Sequence, residues 1–342
     1  MTMMLVLLTG CANGDKSTED TGGGSGGSAD APGDDSPDAD DPSPDDPDTD
    51  TGQSGDDTAA PEDIARSAGC GLDAPHSAGG VQLELDAGAD GDGWRGYWLS
   101  RPPSYDPDRA YGLVLGLPGT NSLGQPMVWY LGLESQADAD DFIFVYPDPL
   151  WRDFPGWGNL GGWVLGPHAY PADGTSDLSF MDALLDEVEA SYCIDTDRVF
   201  VTGHSWGGDM AAVVGCFMGD RVRASVPAAA NRPYWFETGS GAVECIGEAD
   251  IWTFYGIADD HFAPYESYPG DYGDQQVDFW LGDRDCDGWE AHADLDLGGA
   301  EDECVVFDGC RTDTRYCLYG PDTGHQIPPF FSSAVMDYFS SY

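Results

Sequence analysis

The sequence predicts an α/β fold, a mostly parallel central sheet flanked by helices, and three observations carry that prediction. Short apolar runs bounded by turn residues recur through most of the chain, helical stretches fall between them, and one run leads through glycines straight into an apolar, Ala-rich segment. Alternating strand and helix signals are what a parallel sheet covered on both faces requires, because each crossover must bury one helix face.

In chain order, strand-like runs fall at 81–85, 94–99, 111–117, 142–146, 198–202, 224–227, 251–255 and 316–319. The clearest helix is 177–192, where Leu178, Met181, Leu184, Leu185 and Val188 recur at helical spacing. A second helix is expected over 209–218 and a closing one over 330–342. Two stretches break the rhythm: an aromatic loop over 151–170 and an acidic stretch over 282–303.

The first fifth of the chain is built differently. Residues 3–8 are apolar, and "LLTGC" ending at Cys11 is similar to a bacterial lipobox, so 1–11 are expected to act as a lipoprotein-type signal with Cys11 acylated, although no Lys or Arg precedes the apolar run. Residues 12–65 are Gly, Ser, Pro and Asp with few apolar side chains. Such a segment cannot bury enough surface to offset its ordering entropy, and a disordered acidic linker is expected there. That leaves 66–342 as the folded domain of a protein expected at the cell surface or outside the cell.

The chain of 342 residues holds 63 acidic against 13 basic residues, a formal charge of -50. This field opposes nucleic acid and anionic lipid, so contact with a membrane is expected through the lipid on Cys11 only. Nine cysteines contain no CxxC pair, which argues against a zinc ribbon. With Cys11 set aside, an even set of eight reads as disulfides, with Cys216 equally readable as a buried thiol. "DRDCDGWEAHAD" over 283–294 has the spacing of a calcium loop, but in so Asp-rich a chain it reads as a solvated acidic loop, and no metal is assigned. No cofactor signature occurs, and a monomer is expected.

The chemistry concentrates in "VFVTGHSWGGDM". Gly203 and Gly207 flank Ser205 in the pattern GxSxG, between a strand and a helix, which is the nucleophile elbow of an α/β-hydrolase. His204 reads as structural. A serine hydroxyl needs a base, and the base needs an acid to hold its tautomer; in this fold both follow the serine, acid first. Of His261, His292 and His325, only His325 lies between the last strand-like run and the closing helix, where the base belongs. Asp259, ahead of Asp260, is the expected acid beyond the 251–255 strand. The N–H of Trp206 and, from "LVLGLPGTN", that of Thr120 are the expected oxyanion donors. Trp157, Trp163 and Trp206 are expected to contact substrate, while the set of Trp151, Phe154, Trp157, Trp163 and Tyr170 reads equally as the packed interior of a long loop.

The segments "AGCG" at 68–71, "YCIDTDRVFVTGHSWGGDMA", "GIADDHFAPY", "FWLGDRDC" and "GHQIPP" together resemble the secreted α/β-hydrolase esterases that include polyhydroxybutyrate depolymerases, feruloyl esterases and acetylxylan esterases. The resemblance covers 70–342. It implies Ser205 as nucleophile, Asp259 as acid, His325 as base, and a bond between Cys286 and Cys310. Relatives carry His-Gly where this chain has Pro118-Gly119, a polar residue where Trp206 stands, and an aromatic where Gln326-Ile327 precede Pro328. The expected activity is serine-dependent hydrolysis of a polymeric or oligomeric ester, feruloyl or acetyl esters of plant polysaccharide ahead of polyhydroxybutyrate. A non-catalytic binding module of the same fold is the contrasting class.

Overall fold

A computed structural model describes residues 64–169, 173–237, 243–259, 272–289, 292–295, 297, 303–320 and 322–342. Cys11 and the 12–63 part of the acidic segment lie outside the described residues, as do Tyr170, Asp260 and His261. Among the described residues no helix is long and apolar enough to cross a membrane.

Twelve described strands are β1 (Gly79–Asp86), β2 (Trp94–Arg101), β3 (Tyr111–Leu117), β4 (Phe142–Pro147), β5 (Leu150–Phe154), β6 (Gly158–Gly162), β7 (Ile194–His204), β8 (Ala224–Ala228), β9 (Asp250–Gly256), β10 (His292–Asp294), β11 (Glu303–Phe307) and β12 (Thr314–Tyr319). The helices are α1 (Gly124–Leu131), α2 (Ser176–Ser191), α3 (Trp206–Phe217), α4 (Tyr272–Asp283) and α5 (Phe331–Ser340). Ten strands form one sheet in the order β1-β2-β4-β3-β7-β8-β9-β12-β11-β10. The run from β4 to β12 is parallel throughout, and antiparallel strands close both edges. Two expectations change here. The "aromatic loop" is largely a separate β5–β6 hairpin, and the acidic stretch contributes strands to the sheet edge.

The central strands are buried on both faces because successive side chains alternate between two cores. Leu113, Leu115 and Leu117 of β3 join Val199 and Val201 of β7 under α2 and α3, against Leu184, Leu185, Met210 and Val213. The intervening Val114 and Phe200 turn the other way, against Met127 and Leu131 of α1 and Phe331, Val335 and Phe339 of α5. A parallel sheet brings the carboxyl ends of its strands to one edge, so the loops after β3, β7 and β9 open on the same side.

All eight described cysteines are bonded: Cys70–Cys193, Cys216–Cys245, Cys286–Cys310 and Cys304–Cys317. Cys216 is therefore a disulfide sulfur and not a buried thiol. Four such bonds mark a protein of an oxidising, extracellular setting.

Candidate active site

Ser205 stands at the junction of β7 and α3 with φ 59° and ψ -128°, a strained conformation for a residue with a side chain. Its N–H donates to Ala228 O (3.0 Å), so the end of β8 holds the turn in place. Close packing demands the glycine that follows: a Cβ on Gly207 would overlap the Leu117 carbonyl at the end of β3. The helix must start at once for the hydroxyl to stand clear of the sheet edge.

His325 spans the two remaining members. Its Nε2 lies 2.8 Å from Ser205 Oγ and its Nδ1 lies 2.9 Å from Asp259 Oδ2. The Asp259 carboxylate is fully buried while the imidazole is about one-fifth exposed, 21%. Backbone pairing fixes both carriers: Ile257 N–H donates to Tyr319 O (3.0 Å) and Ala258 N–H to Thr323 O (2.9 Å), tying the loop after β9 to the loop after β12. Tyr319 Oη adds a hydrogen bond to Gln326 O, beside the imidazole.

The loop after β3 runs against the elbow. The position a Cβ on Gly119 would take is 3.1 Å from His204 O and 3.5 Å from Ser205 Cβ, and Thr120 follows, exposed. The amide of Trp206, at the first position of α3, has no partner within its own helix. The hairpin holds the loop: Asn121 N–H donates to Gly161 O (2.8 Å), and Gly161 N–H donates to Asn121 Oδ1 (3.1 Å).

The three tryptophans expected to meet substrate separate. Trp163 is only 1% exposed, and its indole N–H donates to Pro118 O at 2.8 Å. It is therefore a buried prop under the Pro118–Thr120 turn and not a contact surface, because a side chain closed to water is closed to substrate. Trp206 is 8% exposed and offers an edge, with Phe154 (5.0 Å between ring centroids) and Trp157 (5.7 Å) packed around it. Trp157, 47% exposed, presents the open aromatic surface.

Two groups near Ser205 carry no motif that sequence reasoning could use. His204, read as structural, places its ring 4.8 Å from the His325 ring, and Tyr130 Oη meets its Nδ1 at 3.0 Å. The Ile327 N–H in turn donates to Tyr130 Oη, and burial raises the phenol's pKa, so a neutral Tyr130 links α1 to the His325 loop. Asp209, one turn beyond Ser205, accepts hydrogen bonds from Asn231 N (2.7 Å) and Nδ2 (3.2 Å). Burial pushes its carboxyl up to about 7, against the opposing pull of Asn231 and His325. An acid whose folded pKa exceeds its unfolded value of 3.8 holds its proton longer when folded. Its stabilising effect is complete below the unfolded value and is lost as pH rises to about 7. Asp209→Asn keeps the accepting oxygen and removes the titration. Urea midpoints measured from pH 4 to 8 should fall less with pH in the variant than in the native chain; parallel profiles would show that Asp209 does not titrate in this range.

The acidic pattern over 283–294 holds cations of the chain's own. Asp283 meets Arg284 (2.8 Å) and Asp285 meets Arg311 (3.0 Å), while residues 290–291 lie outside the described residues. Among the described residues no group of three His, Cys, Asp or Glu could hold a metal ion.

No protein-family model matches the chain. A probable feruloyl esterase C of Aspergillus terreus is 28% identical over 275 residues, 78% of this chain and 86% of that protein. The feruloyl esterase C of Emericella nidulans is 33% identical over 169 residues, 47% of this chain and 52% of that protein. Among solved structures, an acetyl xylan esterase from Aspergillus awamori superposes with a TM-score of 0.52 at 15% identity, covering 77% of this chain and 100% of the other, a likeness of fold.

Proposed function

We infer that the chain is a carboxylic ester hydrolase built on the α/β-hydrolase fold, and that Ser205, His325 and Asp259 carry out the reaction. One observation carries the reading: a single imidazole bridges the hydroxyl on a strained elbow (2.8 Å) and a fully buried carboxylate (2.9 Å). His325 removes the Ser205 proton as Oγ attacks the ester carbonyl, and Asp259 holds the imidazole with Nδ1 protonated and stabilises the imidazolium. The N–H groups of Trp206 and Thr120 donate to the developing oxyanion, and the rigid backing of Pro118 and Asn121 supports that assignment. His325 then protonates the departing alcohol, and water releases the acid from the acyl-enzyme by the same steps in reverse.

The acyl group is read as feruloyl or acetyl, esterified to plant polysaccharide. Three features support this: the names of the curated relatives, the Trp206–Trp157 surface that suits a flat aryl group, and an acidity that disfavours anionic polymers. On the same reading, Cys11 carries a lipid and the 12–65 segment tethers the enzyme at a surface, supported by the lipobox-like "LLTGC" and by the segment's composition.

Purified protein assayed on methyl ferulate, acetylated xylan, hydroxybutyrate oligomers and a short-chain nitrophenyl ester tests the assignment. Cleavage of methyl ferulate or acetylated xylan, with kcat/KM well above that for hydroxybutyrate oligomers, is expected. The reverse order would overturn the acyl assignment, and cleavage of none would leave a binding module.

A further inference from the structure

We propose that the exposed face of α1 is the subsite for the alcohol half of the ester, and that it takes a neutral saccharide chain with Trp129 stacked on a sugar ring. The proposal rests on the assignment of Ser205 and His325 as the reacting pair. When the acyl-enzyme forms, the bond between the carbonyl carbon and the alkoxy oxygen breaks, the electron pair stays with the oxygen, and the proton on His325 Nε2 passes to it. The alcohol must therefore depart on the His325 side of Ser205. The aromatic cluster of Trp206, Phe154 and Trp157 is the surface suited to the acyl group.

On the histidine side, contacts lead directly to α1. The His204 ring lies 4.8 Å from that of His325, and Tyr130, near the end of α1, meets His204 Nδ1 at 3.0 Å and takes the Ile327 N–H. Going back from Tyr130, the exposed residues are Trp129, Pro126 and Gln125 of the helix and Leu123 at its N-cap, all apolar but Gln125. Trp129 is 75% exposed, and Leu123 and Tyr130 are 44% and 39% exposed. An apolar stripe open to water marks an interaction surface rather than a packing face.

Charge selects the occupant. In a chain of net charge -50, no Asp, Glu, Lys or Arg occurs between Arg109 and Glu134, a segment that includes β3, the Thr120 loop and all of α1. The segment itself carries no charged side chain, the Asp148 carboxylate at the start of α1 is engaged by the Gly124 N–H (2.7 Å), and an open indole beside the Gln125 amide suits a neutral ring with an apolar C–H face and hydroxyl edges. An anionic chain would find no cation here and would meet repulsion from the rest of the molecule.

The test compares Trp129→Ala with the native chain on a feruloylated or acetylated xylo-oligosaccharide and on the corresponding methyl ester. The preference for the saccharide ester, as a ratio of kcat/KM values, should fall about tenfold, carried by KM, and Trp129→Phe should restore most of it. An equal change on both substrates, or none, would overturn the subsite. Failure of the native enzyme to cleave the saccharide ester would instead overturn the substrate reading beneath it. A concentration-dependent dimer in sedimentation that Trp129→Ala dissociates would make the stripe a contact between copies and overturn the proposal.

Discussion

Replacing Ser205 or His325 by Ala should each lower kcat on a nitrophenyl ester by roughly a millionfold, and the double variant should be hardly worse than either. The non-additivity follows from the geometry. The imidazole has no proton to take once Oγ is gone, and Oγ has no acceptor at 2.8 Å once the imidazole is gone, so each change removes the same step. Asp259→Asn keeps the side chain's size but disfavours the needed tautomer, and a loss of about 10⁴ is expected. Circular dichroism establishes that each variant is folded, and active-site titration measures residual native enzyme. A folded Ser205→Ala protein with native activity would remove Ser205 from the mechanism.

Asp177→Ala should be the most damaging change outside the site, lowering stability by about 3–5 kcal/mol. Asp177 sits at the start of α2 with no exposed side-chain surface, against Arg95 of β2 (2.7 Å), which is equally buried and lies over the Phe180 ring at 3.9 Å. The same carboxylate meets Arg152 of β5 (3.3 Å) and accepts the Val164 N–H at 2.6 Å. Removing it strands a desolvated guanidinium and a backbone donor together, and burial already depresses the Arg95 pKa. Because Arg152 belongs to the hairpin that carries Phe154 and Trp157, the loss should also loosen the aromatic surface beside Ser205. Urea unfolding followed by Trp fluorescence measures both; a change in stability below about 1 kcal/mol would show that Arg95 finds other partners.

Much of this was legible in the chain because the signals are local. The strand runs at 111–117, 142–146 and 251–255 match β3, β4 and β9 closely, since a parallel strand buried on both faces is a continuous apolar run. Helix α2 declares itself through one apolar face and one acidic face. Helix α1 did not, because its water-facing side is mostly apolar, with Trp129, Pro126 and Tyr130 beside Gln125, and gives no clear polar face to set the period. The β5–β6 hairpin was hidden for a related reason: glycines and tryptophans carry weak alternation, and the pairing was decided by contacts with Asn121 and Trp206.

What the sequence alone determined was the elbow at Ser205, the order of candidate acid and base after it, and the alternation that yields a parallel sheet. Each depends on neighbours a few residues apart or on chain order. Tertiary structure alone decided that Trp163 is buried beneath a loop, that burial raises the Asp209 pKa, and that Tyr130 meets His204 across 74 positions. Burial and long-range pairing depend on what the rest of the chain packs against a side chain, and no window of sequence contains that information.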